Sequence, residues 1–296
     1  MFTAIYNRAR TLPRVYQSLK SQTIQDFEWL IVDDGSTDET SRLVSDWVDG
    51  GELTIRYIKQ ANRGKHVCTN VALEVARGRF FATIDSDDWY LPHALETFAD
   101  VWQSIPSGEY SKFAGVSALC ATPSGSVIGT RFPRDVLDAS YTELNDRYRI
   151  VGDKAGCGRV DVDRLFPFPV IDGERMIIED IVYRRIARHY RLRCVNKVLM
   201  IKDYQPNGLT ATAGWTALEN PRTVALGLRE LLHDGENLPR RNLLRLYVNY
   251  LRYSMHGRSG FGSFDDIPSK LMAGVTLPVA LGLYTRDRWR LARRRS

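Results

Sequence analysis

FEWLIVDDGSTDET, residues 27–40, decides how the chain is read. An apolar run ends in two carboxylates and a glycine. Ser36, Thr37, Asp38 and Glu39 follow, residue types that start helices because their oxygens satisfy first-turn N–H groups and suit the helix dipole. The segment therefore predicts a strand, a turn and a helix. On its N-terminal side, FTAIY (2–6) reads as a short strand, and TLPRVYQSLKSQ (11–22) places Leu12, Val15, Tyr16 and Leu19 on one helical face. On its C-terminal side, LTIRYIKQ (53–60) reads as a strand. NRGKHVCTNVALEVARG (62–78) then gives a loop, a helix and a glycine stop, and RFFATID (79–85) a further strand. Strands alternating with helices predict βαβ units, and so an α/β fold with a mostly parallel, Rossmann-like central sheet.

Ligands of such sheets bind beyond the carboxyl ends of the strands. Tyr6 and Asn7 end the first strand, Asp33 and Asp34 the second, and Asp85, Ser86, Asp87 and Asp88 the fourth. Carboxylates this close repel one another, and burying them costs more still. A cation between them and an anionic ligand resolves both difficulties, and hard oxygen ligands suit Mg²⁺ or Mn²⁺.

The 296 residues are 44% hydrophobic and 26% charged, which excludes a disordered chain. Cys68, Cys120, Cys157 and Cys194 follow no metal-ligand spacing and read as buried thiols of a reducing compartment. No apolar run reaches the roughly 20 residues of a membrane span, and the polar start argues against a secretory leader. A cytoplasmic protein is expected. From about residue 213 the pattern turns wholly helical. LMAGVTLPVALGLY (271–284) is apolar, and the last eleven residues carry six arginines against one aspartate. That composition suits a peripheral anchor on an anionic membrane at the inner face of the cell membrane. A domain over 1–212 (halves 1–105 and 106–212) and a helical, basic region over 213–296 are expected.

YNRARTLPRVYQSLKSQT (6–23), FEWLIVDDGSTDET and RFFATIDSDDWYLPHAL (79–95) together resemble the inverting family-2 glycosyltransferases of the GT-A fold, closely over 2–100 and more loosely over 101–205. The resemblance implies a nucleotide-sugar donor, foremost a UDP-sugar, a divalent metal (Mn²⁺ or Mg²⁺) and a hydroxyl acceptor, here a lipid-linked or cell-envelope glycan precursor. It makes Asp87 the principal metal ligand and Asp85 a contact to ribose or metal, with Ser86 between them at the donor. It sets Asp34 on the nucleobase, with Thr3 and Tyr6 flanking it, and Arg63 and Lys65 on base or phosphate. Ala4 and Ile5 depart from the proline and small hydroxyl residue usual in the family. MIIEDIVYRRIA (176–187) supplies the general base as either Glu179 or Asp180. Two other classes stay open. A nucleotidyltransferase would carry a glycine-rich basic loop after the first strand, where this chain reads YNRARTLP; a non-catalytic sugar- or membrane-binding protein would have lost its acids.

Overall fold

Phe2–Ile5 (β1), Trp29–Asp33 (β2) and Ile55–Lys59 (β3) form a parallel sheet in the order β1-β2-β3. Leu12–Lys20 (α1), Thr40–Gly50 (α2) and Lys65–Val75 (α3) alternate with them. This computed structural model describes residues 1–204, 215–234, 240–257 and 267–295. The predicted apolar face of α1 is buried as Leu12, Val15, Tyr16 and Leu19. Tyr16 stacks on Trp47 of α2, with ring centroids 4.4 Å apart, and Trp29 of β2 lies against both rings. Such aromatic packing fixes the helix layer on the sheet.

The register sets the rim. Ile5 pairs with Asp33 and Asp33 with Lys59, so Tyr6, Asp34 and Gln60 follow in line beyond the strand ends. The acid-bearing segment joins the same rim: Thr83 bridges Phe2 in parallel, and the N–H of Ile84 donates to the Phe2 carbonyl at 2.9 Å.

Beyond these strands the pairing changes character. Phe80–Ala82 (β4), Trp89–Tyr90 (β5), Phe113–Ala121 (β6), Val136–Ala139 (β7), Lys154–Arg159 (β8) and Arg191–Ile201 (β9) form a second sheet. Its path is β4-β8-β6-β9-β5, with β7 also on β9; only β6 and β9 run parallel. The fold is thus α/β, with its parallel pairing concentrated in the first three strands. Ala94–Gln103 (α4), Tyr141–Asp146 (α5), Val160–Asp163 (α6) and Asp180–Ala187 (α7) complete this part.

The chain divides into two compact units. The first holds Met1–Phe168 and Val182–Pro206; the second holds Pro169–Ile181 and Asn207–Ser296. The expected boundary at 212/213 lies outside the described residues. In the second unit, Pro221–Asp234 (α8), Arg240–His256 (α9) and Lys270–Arg295 (α10) enclose their own core of Ala225, Leu232, Tyr247, Tyr250, Leu251, Ala273 and Ala280. Segment 169–181 belongs with them for a local reason. Buried Glu174 accepts the backbone N–H groups of Arg222 and Thr223, each at 2.7 Å, and so caps α8. Asn220 Oδ1 accepts from the N–H groups of Arg175 and Met176 in return.

Candidate functional site

Asp33 and Asp34 are neighbours in sequence with different tasks. Asp33 is fully buried and accepts hydrogen bonds from the Ser36 N–H at 2.7 Å, Tyr57 OH at 2.5 Å and Ser41 Oγ at 3.0 Å. Burial opposes its charge, but those donors outweigh it and hold the carboxyl below its usual range. Asp33 thereby fixes the turn after β2. Asp34 accepts from the N–H groups of Arg63 (2.8 Å) and Gly64 (2.7 Å) and from Gln60 Nε2 (2.8 Å). Since α3 starts at Lys65, Asp34 caps it from across the rim. The two loops touch at Gly35, where φ is +87° and a Cβ would sit 3.1 Å from the Asn62 nitrogen.

The loop after β1 is tied to both neighbours. Asn7, at φ 53°, accepts from the N–H of Thr37 at 2.8 Å, and its own N–H donates to Ser36 Oγ at 2.9 Å. Arg8 Nε donates to Ser86 Oγ at 2.9 Å. Asp38 accepts from the Thr40 N–H at 3.0 Å, so it, rather than Ser36 or Thr37, serves the start of α2.

The acid cluster holds its own counter-cations. Asp85 pairs with Lys65 at 2.8 Å and with Lys202 at 3.0 Å, and Lys202 also meets Asp88 at 2.7 Å and Asp153 at 3.7 Å. Lys65 foremost, with Lys202, holds the Asp85 carboxyl far below the usual range despite burial. Burial pushes Asp88 up to about 6, against the pull of Lys202. Burial alone would lower Lys202; Asp85 and Asp88 overcome it and hold the ammonium well above its ordinary value. Asp88 also accepts from the Asp203 N–H at 3.2 Å, and His93 precedes α4 with no side-chain cap, so Asp88 braces the site instead of starting that helix. Tyr204 OH donates to Asp153 at 2.8 Å.

Asp87 differs. Its carbonyl accepts from the guanidinium of Arg14, which also pairs with Asp203 at 2.9 Å and lies 4.2 Å from the Trp89 ring centre. Its half-buried carboxylate has no lysine or arginine partner among the described residues. No group of three or more His, Cys, Asp or Glu side chains surrounds a single point among those residues. The donor set is therefore no protein-only cage. Asp87 with ionised Asp85 fits a hard cation that would take its remaining oxygen ligands from outside the protein, the usual habit of Mg²⁺.

The first unit thus gathers Tyr6, Asp34, Arg63, Lys65, Asp85, Ser86 and Asp87 on one rim. Thr3 is oriented otherwise. It is fully buried, and its hydroxyl accepts from Trp29 Nε1 at 2.9 Å, because alternation along β1 turns position 3 into the core. Lys65 is ion-paired and not merely solvated, and His66 is buried in α3, its basicity lowered by burial. Glu179 and Asp180 stand at the start of α7, in the 169–181 stretch of the second unit. Sequence reasoning missed Lys202, Arg8, Arg14 and Asp153. Only Lys202 left a signal: it follows the apolar end of β9, a strand parallel to β6.

Residues 2–110 match the family model for glycosyl transferase family 2. An uncharacterized glycosyltransferase of Nostoc sp. is 37% identical over 99 residues, 33% of this chain and 31% of that protein. The chondroitin synthase of Escherichia coli is 35% identical over 100 residues, 34% of this chain and 14% of its own. The teichoic acid poly(glycerol phosphate) polymerase of Staphylococcus epidermidis is 31% identical over 96 residues, 32% and 13% respectively. The matches cover less than a third of each relative's own length. Among solved structures, S. aureus TarS 1–349 in complex with UDP-GlcNAc superposes with a TM-score of 0.61 at 19% identity, over 96% of this chain and 79% of that one. The mannosyltransferase PcManGT of Pyrobaculum calidifontis, in complex with GDP-Man and Mn²⁺, gives 0.54 at 18% identity over 97% and 81%. At such identities the likeness shows the shared fold.

Proposed function

We propose, from the match of residues 2–110 to glycosyl transferase family 2, that the protein is an inverting glycosyltransferase that moves a sugar from a UDP-sugar to a hydroxyl acceptor. One observation carries the reading. The Lys65–Asp85 ion pair joins the loop that Asp34 holds to the acid-bearing segment, which makes one continuous rim from a base-reading end to a diphosphate end.

Three of the roughly four lone-pair positions of Asp34 serve the 60–64 loop. The remaining one, which the Cys68 thiol reaches, suits the imide N–H of uracil in exchange for that thiol, with Tyr6 exposed beside the strand end to flank the ring. Arg63, on the exposed side of the loop, and Lys65 answer the phosphates. Asp87, with Asp85, holds Mn²⁺ or Mg²⁺, which when bound neutralises charge on the leaving diphosphate. Ser86, fixed by Arg8, keeps Asp85 and Asp87 in register. The base, Glu179 or Asp180, removes the acceptor hydroxyl proton as that oxygen attacks the anomeric carbon and the bond to the diphosphate breaks. A single displacement inverts the configuration.

The acceptor class is a cell-envelope or lipid-linked glycan precursor, met by a peripheral protein at the cytoplasmic face. The teichoic acid polymerase among the relatives supports the first half of this statement. Among the described residues no helix is long and apolar enough to cross a membrane.

The test is a thermal-shift panel of UDP-, GDP- and dTDP-sugars with and without Mn²⁺, followed by hydrolysis of the stabilising donor without acceptor. A UDP-sugar with Mn²⁺ should raise Tm by mass action. Of Glu179→Gln and Asp180→Asn, one should cut kcat by about 10²-fold or more with donor affinity unchanged. No shift with any donor would sink the assignment.

A further inference from the structure

We propose that the outward face of α10 is a docking surface for an anionic lipid bilayer. The proposal goes beyond the transfer reaction and stands without it. Helix α10 runs 26 residues, about 39 Å. One face is settled by its contacts. Ala273, Thr276, Ala280 and Asp287 are buried; the alanines belong to the core of the second unit, and Asp287 receives Arg252 of α9 at 2.5 Å. The opposite face, recurring at spacings of three and four, carries Leu271, Val275, Pro278 and Gly282, then Arg286, Trp289 and Arg293.

That outward face changes character along its length. In its first half, Leu271 is 77% exposed and Val275 63%, with Val279 (57%) and Leu281 (43%) on its two flanks. In its second half, Trp289 is 55% exposed, with the Arg293 guanidinium 3.6 Å from its ring centre and exposed Arg288 and Arg290 on either side. The helix is apolar on both faces over its first three turns, although only one face has a protein partner among the described residues. A helix in water gains nothing from four exposed aliphatic side chains spread over its outward side. A bilayer interface accepts them, takes an amphipathic tryptophan at headgroup depth, and pairs adjoining arginines with lipid phosphates. The continuity of the arginines with the apolar stripe selects an anionic membrane over a neutral one.

The measurement is co-sedimentation of the full chain with vesicles of phosphatidylcholine alone or containing about a third phosphatidylglycerol, at roughly 0.05 and 0.5 M salt. Binding should need the anionic lipid and fall about tenfold or more in partition coefficient at the higher salt. Val275→Glu with Val279→Glu should lose binding at both salts. Arg290→Glu with Arg293→Glu should lose the anionic preference. All four positions are exposed, so circular dichroism and Tm should match the parent protein. Wild-type binding unchanged by the valine pair overturns the proposal, as does failure of the wild type to bind. A wild-type dimer that the valine pair converts to a monomer without lipid would assign the face to a second copy, and this too overturns it. None of these readouts involves transfer, so they fail or succeed separately from the glycosyltransferase reading.

Discussion

At the scale of single residues, Lys202 and Asp87 divide the work of the acid cluster, and their substitution should have opposite consequences. Lys202 is a largely buried ammonium that neutralises Asp85 and Asp88. Lys202→Met leaves Asp88 nearly fully buried beside two other carboxylates; that carboxyl, already raised to about 6, takes up a proton. Proton uptake limits the loss of stability to about 1–3 kcal/mol, short of the full cost of a stranded buried charge. Asp87→Ala removes a carboxylate with no basic partner among the described residues, so it should leave denaturant midpoints unchanged while abolishing Mn²⁺-dependent donor binding and turnover. Chemical denaturation together with donor titration, with and without Mn²⁺, separates the two. A stable, inactive Lys202→Met alongside a destabilised Asp87→Ala would reverse these assignments.

At the scale of elements, the helices of the second unit are held by a buried charge as well as by apolar packing. Arg252 of α9 reaches Asp287 of α10, and His256 Nε2 approaches the same carboxylate at 3.4 Å while its ring packs on Tyr284 at 4.6 Å. Burial lowers the basicity of His256 more than Asp287 raises it, from an ordinary value of 6.5. The folded protein therefore holds this proton less tightly than the unfolded chain. Below pH 6.5 the unfolded state binds more protons, and stability falls as pH falls. Urea unfolding between pH 7.5 and roughly 5.5 should show this slope, flattened in His256→Gln. Arg252→Met should cost about 3 kcal/mol, because it leaves Asp287 buried without its main cation. An unchanged midpoint would mean that the pair contributes nothing net.

At the scale of the whole chain, the two units are not consecutive segments. Glu174 caps α8 and Asn220 secures residues 175 and 176, so 169–181 takes its order from chain that follows residue 206. A protein ended at residue 212, where composition alone sets the boundary, should expose Glu174 and its neighbours. Limited proteolysis should cut it within 169–181 while the full chain resists there. Equal resistance of both would show that this segment is held without α8.

What local sequence determined is the first βαβα unit and the identity of its rim. The apolar spacing of α1, the helix-starting residues after Asp34 and the acids ending the fourth strand act over a few residues, and periodicity reports such short-range effects. Tertiary structure alone decided the rest. Lys202 meets Asp85 across 117 residues because β5, β9 and β6 lie side by side, an order no periodicity encodes. Thr3 turns to Trp29 because strand pairing sets which face of β1 meets the helix layer. The second sheet was poorly legible for the same reason: β5 has two residues and β7 four, too few for a pattern, and both exist through pairing with β9. The acids were plain in the sequence, but their neutralisation by two lysines was not, because Coulomb energy depends on distance in space and dielectric, neither of which separation along the chain reveals.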